Sequence, residues 1–511
     1  MNRIPKTALL LGGPVLFVAG CFGLAPYYTT IAVWELRSIL PVALAVTVGV
    51  AIAAGLGSLG ARLDEYDNRP MIGLGLAGCL IGATVAIGWI THTQYQQDRT
   101  LTTTLTVTTD PVPDLADRTP FQVAQAQARS ALPDGGDIVS DAHLPDQDRH
   151  ASLITRRGML AGYATVLTTP TTGDGHGPAE RCEFDPDRAD ARAGGLFGHN
   201  LGRQISTHQR WVRFTADDIY AYCDHNRPVV VVPLKRQTGI LVVTEKPAGV
   251  ALYDGSTGEL TITTDTTGVP GPSYPLSLAA QQRDATTATG TFTDWLFRRT
   301  GWELPDDDVN SANTAEYTLT TTGSGRPTYV TPMTARGSAT AISAITTIPA
   351  RHPGLRLAPL TVHRLDPAWV SPTAIADRIR ADYQDLPNWH TITIYEVIPT
   401  GRDRWTATLG TGQTILYHAT GTGTLTGDTP TCLHRNDGSI LRCGSTANTH
   451  GNGPGLHYGP GGTPHPGEER LTPSPAPNDK DLTRMTDQQL AGLHRRIAEE
   501  TACRLQHTCH R

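Results

Sequence analysis

Three stretches without a single charged side chain dominate the first hundred positions of this 511-residue chain: residues 7–26, 39–60 and 71–91. Each matches the ~20 residues that a helix needs to cross ~30 Å of hydrocarbon. In lipid every backbone polar group must be paired within the segment, so helices are the expected form. For the first stretch a cleaved signal peptide is the competing reading, although two more stretches follow it and no A-x-A cleavage site appears. The expectation is a membrane anchor of three transmembrane helices within residues 1–91.

The short connections orient the anchor. Arg3 and Lys6 precede the first stretch, Arg62 and Arg69 lie between the second and third, and only Arg37 lies between the first and second. The positive-inside rule places the N-terminus and residues 61–70 in the cytoplasm and everything beyond residue 91 outside. Tyr27, Tyr28, Trp34 and Trp89 are then expected at the outer interface as an aromatic belt. Gly78-x-x-x-Gly82 and Ala53-x-x-x-Gly57 supply small residues at the spacing that lets helices approach closely. Packing within the anchor explains them without invoking a dimer.

Cysteines test the orientation separately. Cys21 and Cys79 lie inside the apolar stretches; the other six fall in sequence neighbours, Cys182 and Cys223, Cys432 and Cys443, Cys503 and Cys509. An even number in an exported part fits an oxidising compartment. Six cysteines allow 15 pairings, of which neighbour pairing is one.

Beyond the anchor, residues 92–115 are rich in Thr and end in prolines, which reads as a stalk or a first extended strand. Residues 116–350 are expected to form an α+β extracytoplasmic domain. Within it 151–169, 209–215, 228–234 and 239–245 have the β-branched content of strands. Thr215-x-x-Asp218 has the form of a capping box opening a short helix over DDIYAYC, and helices are expected at 275–286 and 293–300. After a boundary near 352–359, residues 355–448 read as a small α+β domain, an amphipathic helix followed by a β-meander closed by Cys432 and Cys443. Residues 449–483, dominated by Gly, Pro, Asn and His, read as a linker. Residues 484–511 read as a C-terminal amphipathic helix with Thr486 as N-cap.

The stretch PAGVALYDGSTGELTITTD contains a carboxylate and a hydroxyl among glycines. Its flanks alternate as strands do, so a hairpin accounts for it: Asp254 bonds forward to the turn, and Gly255 and Gly258 supply positive φ. A serine nucleophile would want G-x-S-x-G between a strand and a helix, which Ser256 lacks. A strand followed by Asp254, Thr257, Gly258 and Glu259 resembles the hairpin of PepSY-type, cystatin-like extracytoplasmic modules. The arrangement as a whole is similar to that of integral membrane proteins of GC-rich bacteria with three spans and a cysteine-paired exported part. The resemblance implies binding or inhibition and no catalytic residue.

Metal chemistry has two candidates. His507 follows Cys503 by four residues, with Cys509 and His510 adjacent, a set that zinc would accept; oxidation of the cysteines is the alternative outside a cell. Asp306, Asp307 and Asp308 form a carboxylate run without the spacing of a calcium loop, as a solvated loop would. His450, His457 and His465 fall in the Gly/Pro segment. No phosphate-binding loop or H-E-x-x-H is present. A net charge of −6 offers nucleic acid nothing. The expected protein is a multi-pass, non-enzymatic binding or scaffolding protein of the bacterial cell envelope. It would need no cofactor, and its partners would be membrane lipid and another envelope or membrane protein. The competing class is an envelope hydrolase whose catalytic residues converge from distant loops.

Overall fold

The computed structural model describes Gly20 and residues 25–63, 69–132, 136–171, 179–306, 317–322, 325–424 and 431–444. Helix α1 (Pro26–Leu63) takes up the second uncharged stretch and α2 (Arg69–Leu101) the third. Both are long and apolar enough to cross a membrane. The first stretch lies almost wholly outside the described residues, so helices are seen for two of the three expected stretches.

The helices pack side by side through their small residues. A Cβ on Gly82 would collide with the carbonyl of Gly49, one on Gly49 would come 2.6 Å from the carbonyl of Gly82, and one on Gly78 would come 3.0 Å from that of Ala53. The Gly78/Gly82 pair therefore packs within the anchor, as expected. Its partner positions are Gly49 and Ala53, whereas Gly57 faces open space. Gly82→Ile is expected to force the helices apart and to cost about 1–3 kcal/mol, as overpacking does. Gly88→Ile, with nothing within 4 Å, is expected to be near neutral. Thermal unfolding of the two variants in detergent compares them, and equal midpoints would remove glycine packing as the reason for the close approach.

At ~1.5 Å per residue the 38 residues of α1 span about 57 Å, nearly twice the hydrocarbon thickness. The excess is at its N-terminal end, where residues 27–38 are fastened to the β-rich part. Arg213 pairs with Glu35 at 2.6 Å, and the Gln237 Nε2 donates to the Trp34 carbonyl at 3.1 Å. Two of the four aromatics expected at the interface meet the domain, while Tyr28 and Trp89 stay exposed. Trp34 is buried beside the Arg213 guanidinium, and the Tyr27 ring lies so close to Gly202 that a Cβ there would come within 2.5 Å of it. These rings pin the domain to the helix, because contact with protein buries more of them than an interface would. On α2 the Tyr95 hydroxyl donates to the Gly290 carbonyl at 2.9 Å, and the Trp295 indole N–H donates to Asp98 at 3.0 Å.

The chain then builds its sheets nearly in sequence order. β1 (Leu105–Thr108), β2 (Leu115–Ala116) and α3 (Phe121–Ser130) come first. A four-stranded antiparallel meander follows: β3 (Asp137–Leu144), β4 (Arg149–Thr155), β5 (Tyr163–Pro170) and β6 (Glu180–Glu183). After α4 (Leu201–His208) comes a second meander of β7 (Tyr220–Asp224), β8 (Arg227–Thr238), β9 (Thr244–Asp254) and β10 (Leu260–Thr263). Helices α5 (Leu276–Asp284) and α6 (Phe292–Leu296) lead to β11 (Trp302–Glu303), β12 (Tyr317–Thr321), β13 (Pro327–Ala335), β14 (Ile342–Pro349) and β15 (Leu360–Trp369). These five strands with β1 and β2 form a seven-stranded sheet. Finally α7 (Pro372–Tyr383) precedes a five-stranded meander of β16 (Thr393–Pro399), β17 (Arg404–Thr411), β18 (Thr414–Thr422), β19 (Cys432–Arg435) and β20 (Ile440–Cys443).

The two four-stranded meanders share one core with α4, in which Leu144, Leu153, Val166, Leu201, Val230, Val232 and Val250 are all buried. The seven-stranded sheet is covered on both faces. Tyr329 and Ile348 pack with Leu278 of α5, and their neighbours of opposite parity, Val330 and Ile345, pack with Ile375 of α7 and with Trp405. Residues 92–115 are thereby built into the fold: those up to Leu101 extend α2, and Leu105–Thr108 pairs in parallel with Leu360–His363. Strands on either side of residues 350–359 are antiparallel neighbours in that same sheet.

The hairpin at Asp254 forms as expected, with the Asp254 Oδ1 accepting from the amides of Ser256 and Thr257. Gly258 has φ +75°; Gly255 instead is required by space, since a Cβ there would come within 2.5 Å of the Phe184 ring. The helix expected after Thr215 is not formed. Only Ala216–Asp218 makes a 3-10 turn without a side-chain cap, and Tyr220–Asp224 is a strand. His225 and Asn226 both take positive φ, the two-residue turn that closes a right-twisted hairpin, and this pairs Tyr220–Asp224 with Arg227–Val231. Residues 209–215 contribute a single bridge, Arg213 to Lys235.

Candidate functional site

A cleft of about 490 Å³ opens where α3, β3, the Ala216–Asp218 turn and α5 meet β12 and β13. Its size falls within the ~300–1,000 Å³ of small-ligand pockets. Apolar surface comes from Phe121, Ile138, Val139 and Leu276, and charge from Arg129, Arg283, Asp141 and Asp218.

Each charged wall is held from behind. Asp141 accepts from the Gln125 Nε2 at 2.8 Å and from the Ser152 hydroxyl. Burial pushes its carboxyl above the usual range, against the pull of those two bonds. Arg283 is buried, with its Nε 3.0 Å from the Asp284 carboxylate.

Asp218 belongs to a buried network around Lys235. The Asp218 Oδ1 accepts from the Ser277 amide at 2.7 Å, and its Oδ2 accepts from the Ser277 hydroxyl at 2.6 Å. The Lys235 Nζ donates to the Ser277 Oγ at 2.8 Å and to the Thr215 Oγ1 at 2.9 Å, and lies 3.0 Å from the Glu245 Oε2. A lysine ammonium has three protons and no lone pair, and three acceptors surround this one. Burial raises the Asp218 pKa, opposed chiefly by Lys235 and next by Ser277. The 3-10 turn that displaces the expected helix is what aims Asp218 at α5.

A second cavity, of about 400 Å³, is lined by Asp117, Arg118, His418, His434 and Asn436. Behind it Arg118 and Glu396 form a fully buried ion pair at 3.3 Å. Arg118 also neighbours His143 and His150, whose rings are 5.3 Å apart on adjacent strands. The His143 Nδ1 lies 2.9 Å from the Thr318 carbonyl, linking the first meander to β12, and the His150 Nε2 lies 2.8 Å from the carbonyl of Thr119, in the segment after β2. Burial, reinforced by Arg118, pushes His143 down to about 3. Burial followed by its histidine neighbour holds His150 well below its ordinary value.

Of the six cysteines singled out from sequence, Cys182 and Cys223 are bonded with Cα atoms 6.1 Å apart, and Cys432 and Cys443 with Cα atoms 4.0 Å apart. Cys503 and Cys509 lie outside the described residues, as do His450, His457, His465, His507, His510, Asp307 and Asp308. Among the described residues no group of three or more His, Cys, Asp or Glu could hold a metal ion. Sequence reasoning passed over Lys235, His143 and His150. Each had a signal: Lys235 ends the apolar run PVVVVPLK, one of only four lysines in the chain, and the two histidines are equidistant from the PDQD turn.

Comparison with protein-family models, with curated proteins and with solved structures gives no match. Fold and cleft together define a class: two helices suited to a membrane anchor, followed by a β-rich, disulfide-bonded assembly of four sheets with a charged cleft.

Proposed function

We propose that the chain is a membrane-anchored, non-enzymatic binding or scaffolding protein of the bacterial cell envelope. Its β-rich domain faces the extracytoplasmic side, and the cleft beside α3 and α5 holds a segment of an envelope partner. The carrying observation is the closed network at Lys235. It fixes the Asp218 wall as a rigid recognition surface, with the Lys235 Nζ in contact with oxygens of Ser277, Thr215 and Glu245. Arg129, Arg283, Asp141 and Asp218 on one cleft suit a peptide segment carrying both signs of charge. The hairpin resemblance to extracytoplasmic binding modules agrees with this reading.

The hydrolase reading retains one specific point in its favour, the 2.8 Å contact between Lys235 Nζ and the Ser277 Oγ at the cleft wall. Against it, the same Nζ is also engaged by Thr215 and Glu245, and the Ser277 hydroxyl is committed to Asp218.

One experiment separates the two. A photo-crosslinking amino acid is placed in cells at Val139, on the cleft and 48% exposed, or at Ile440, 62% exposed and outside it. A discrete protein adduct is expected from position 139 and not from 440, together with no labelling of Ser277 by a fluorophosphonate probe. Equal adducts, or none, would sink the binding cleft. Labelling that Ser277→Ala abolishes would establish the hydrolase instead.

A further inference from the structure

At the level where α1 begins its uncharged stretch, the domain presents a basic, aromatic groove. Arg37, only two residues before that stretch, lines a cavity of about 250 Å³ with Arg210, Arg236, Trp34, Trp211 and Gln237. The Arg37 guanidinium donates to the carbonyls of Gln237 and Gly239, which ties the β8–β9 turn to the helix. Glu35, the nearest carboxylate in sequence, is engaged by Arg213. Among the described residues neither Arg210 nor Arg236 has a carboxylate within ion-pair distance, and the residue paired across the ladder from Arg236 is Lys246. The turn fastened by Arg37 ends in Ile240 and Leu241, which are 73% and 48% exposed. Trp211, on the groove, is 47% exposed with a positive φ of 64°.

We infer that this groove binds the headgroup of an anionic phospholipid in the leaflet on the domain's side, with Ile240 and Leu241 resting in the acyl boundary. Charge alone would suit any anion. The occupant is identified by continuity with the anchor: the groove opens beside the first residues of a helix long and apolar enough to cross a membrane. The cavity is small for a whole lipid but suited to a headgroup. Arginine and tryptophan beside an apolar tip are the side chains that settle at the lipid–water boundary. The groove would fix the height and tilt of the domain over the bilayer, and thereby the direction in which its cleft faces.

The inference rests on the membrane anchor and not on the cleft's ligand, so failure of crosslinking at Val139 leaves it intact. The test uses the full chain in nanodiscs of equal phosphatidylglycerol and phosphatidylcholine, released and weighed by native mass spectrometry. Retained lipid is expected to favour phosphatidylglycerol by about ten-fold, as juxtamembrane arginines would give. Arg210→Ala with Arg236→Ala is expected to bring that ratio close to one, and Arg210→Lys with Arg236→Lys to keep most of it. Both side chains are exposed, and an unchanged melting temperature confirms that the fold is retained. No preference in the natural chain, or the same preference in the double alanine variant, overturns the inference. So does complete loss of bound lipid to millimolar inorganic phosphate, which would make the groove a site for small anions. A chain that does not enter nanodiscs overturns the anchor and the groove together.

Discussion

Lowering the pH from 7 to 5 is expected to cost the folded domain about 4 kcal/mol, most of it at His143 and His150. Both rings are buried and neutral, one pushed down to about 3 and the other well below its ordinary value. In the unfolded chain they titrate near 6.5, so below that pH the unfolded state binds more protons. Stability is therefore full above about pH 6.5 and is lost as pH falls, at ~1.4 kcal/mol per unit for each ring. Asp141 and Asp218 work in the opposite direction, because burial raises their pKa values and folding favours their protonated forms in acid. Their contribution lies between the ~3.9 of an unfolded aspartate and the raised folded value, so it offsets part of the histidine loss as pH falls toward 5. Urea midpoints at pH 7 and pH 5 measure the slope. His143→Gln with His150→Gln should lower stability at pH 7 yet flatten the slope. A slope that is the same in the natural chain and the double variant would show that the acid sensitivity lies elsewhere.

The second large effect concerns Cys182 and Cys223. The bond closes a separation of 41 residues and joins the edge of the first meander to the edge of the second. Cys432 and Cys443 are 11 apart and face each other across one hairpin that the ladder already holds. Loop-closure entropy assigns about 4 kcal/mol to the first bond and about 3 to the second. Cys182 is also buried and Cys223 packs against the shared core, so loss of the pair removes packing as well. Cys182→Ala with Cys223→Ala should thus destabilise more than Cys432→Ala with Cys443→Ala in denaturant titrations under oxidising conditions. The reverse order would mean that the inter-sheet bond matters little to the core. Alkylation of intact cells adds a second readout: free thiols at Cys182 and Cys223 would deny both the bond and an oxidising location.

Much of the architecture was legible where a signal is local. The uncharged runs at 39–60 and 71–91 predict apolar helices because lipid admits little else, and α1 and α2 cover both. The alternation around Asp254, with its forward-bonding carboxylate, predicts a hairpin, and β9 and β10 form it. Neighbour pairing of cysteines holds for the two pairs that the structure describes. The failure at Thr215 is equally instructive. Thr-x-x-Asp permits a capped helix, but His225 and Asn226 in left-handed conformation commit Tyr220–Asp224 to a ladder with Val229, Val230 and Val231 of β8. The Thr215 hydroxyl accepts from Lys235 instead of capping.

By itself, then, the sequence determined the features that depend on a residue and its near neighbours: the anchor helices, the Asp254 turn, the alternation of the strands and an export-compatible cysteine set. Only the tertiary structure decided the features made by residues far apart in the chain. The docking of the N-terminal part of α1 onto the domain needed Glu35 to meet Arg213. The cleft needed Asp218, Lys235, Glu245 and Ser277 brought from four separate segments to one buried point. The physical reason is one of separation. Hydrophobic period and turn chemistry act over a few residues, whereas a buried charge network exists only after several elements have packed and excluded the water that would otherwise solvate each group alone.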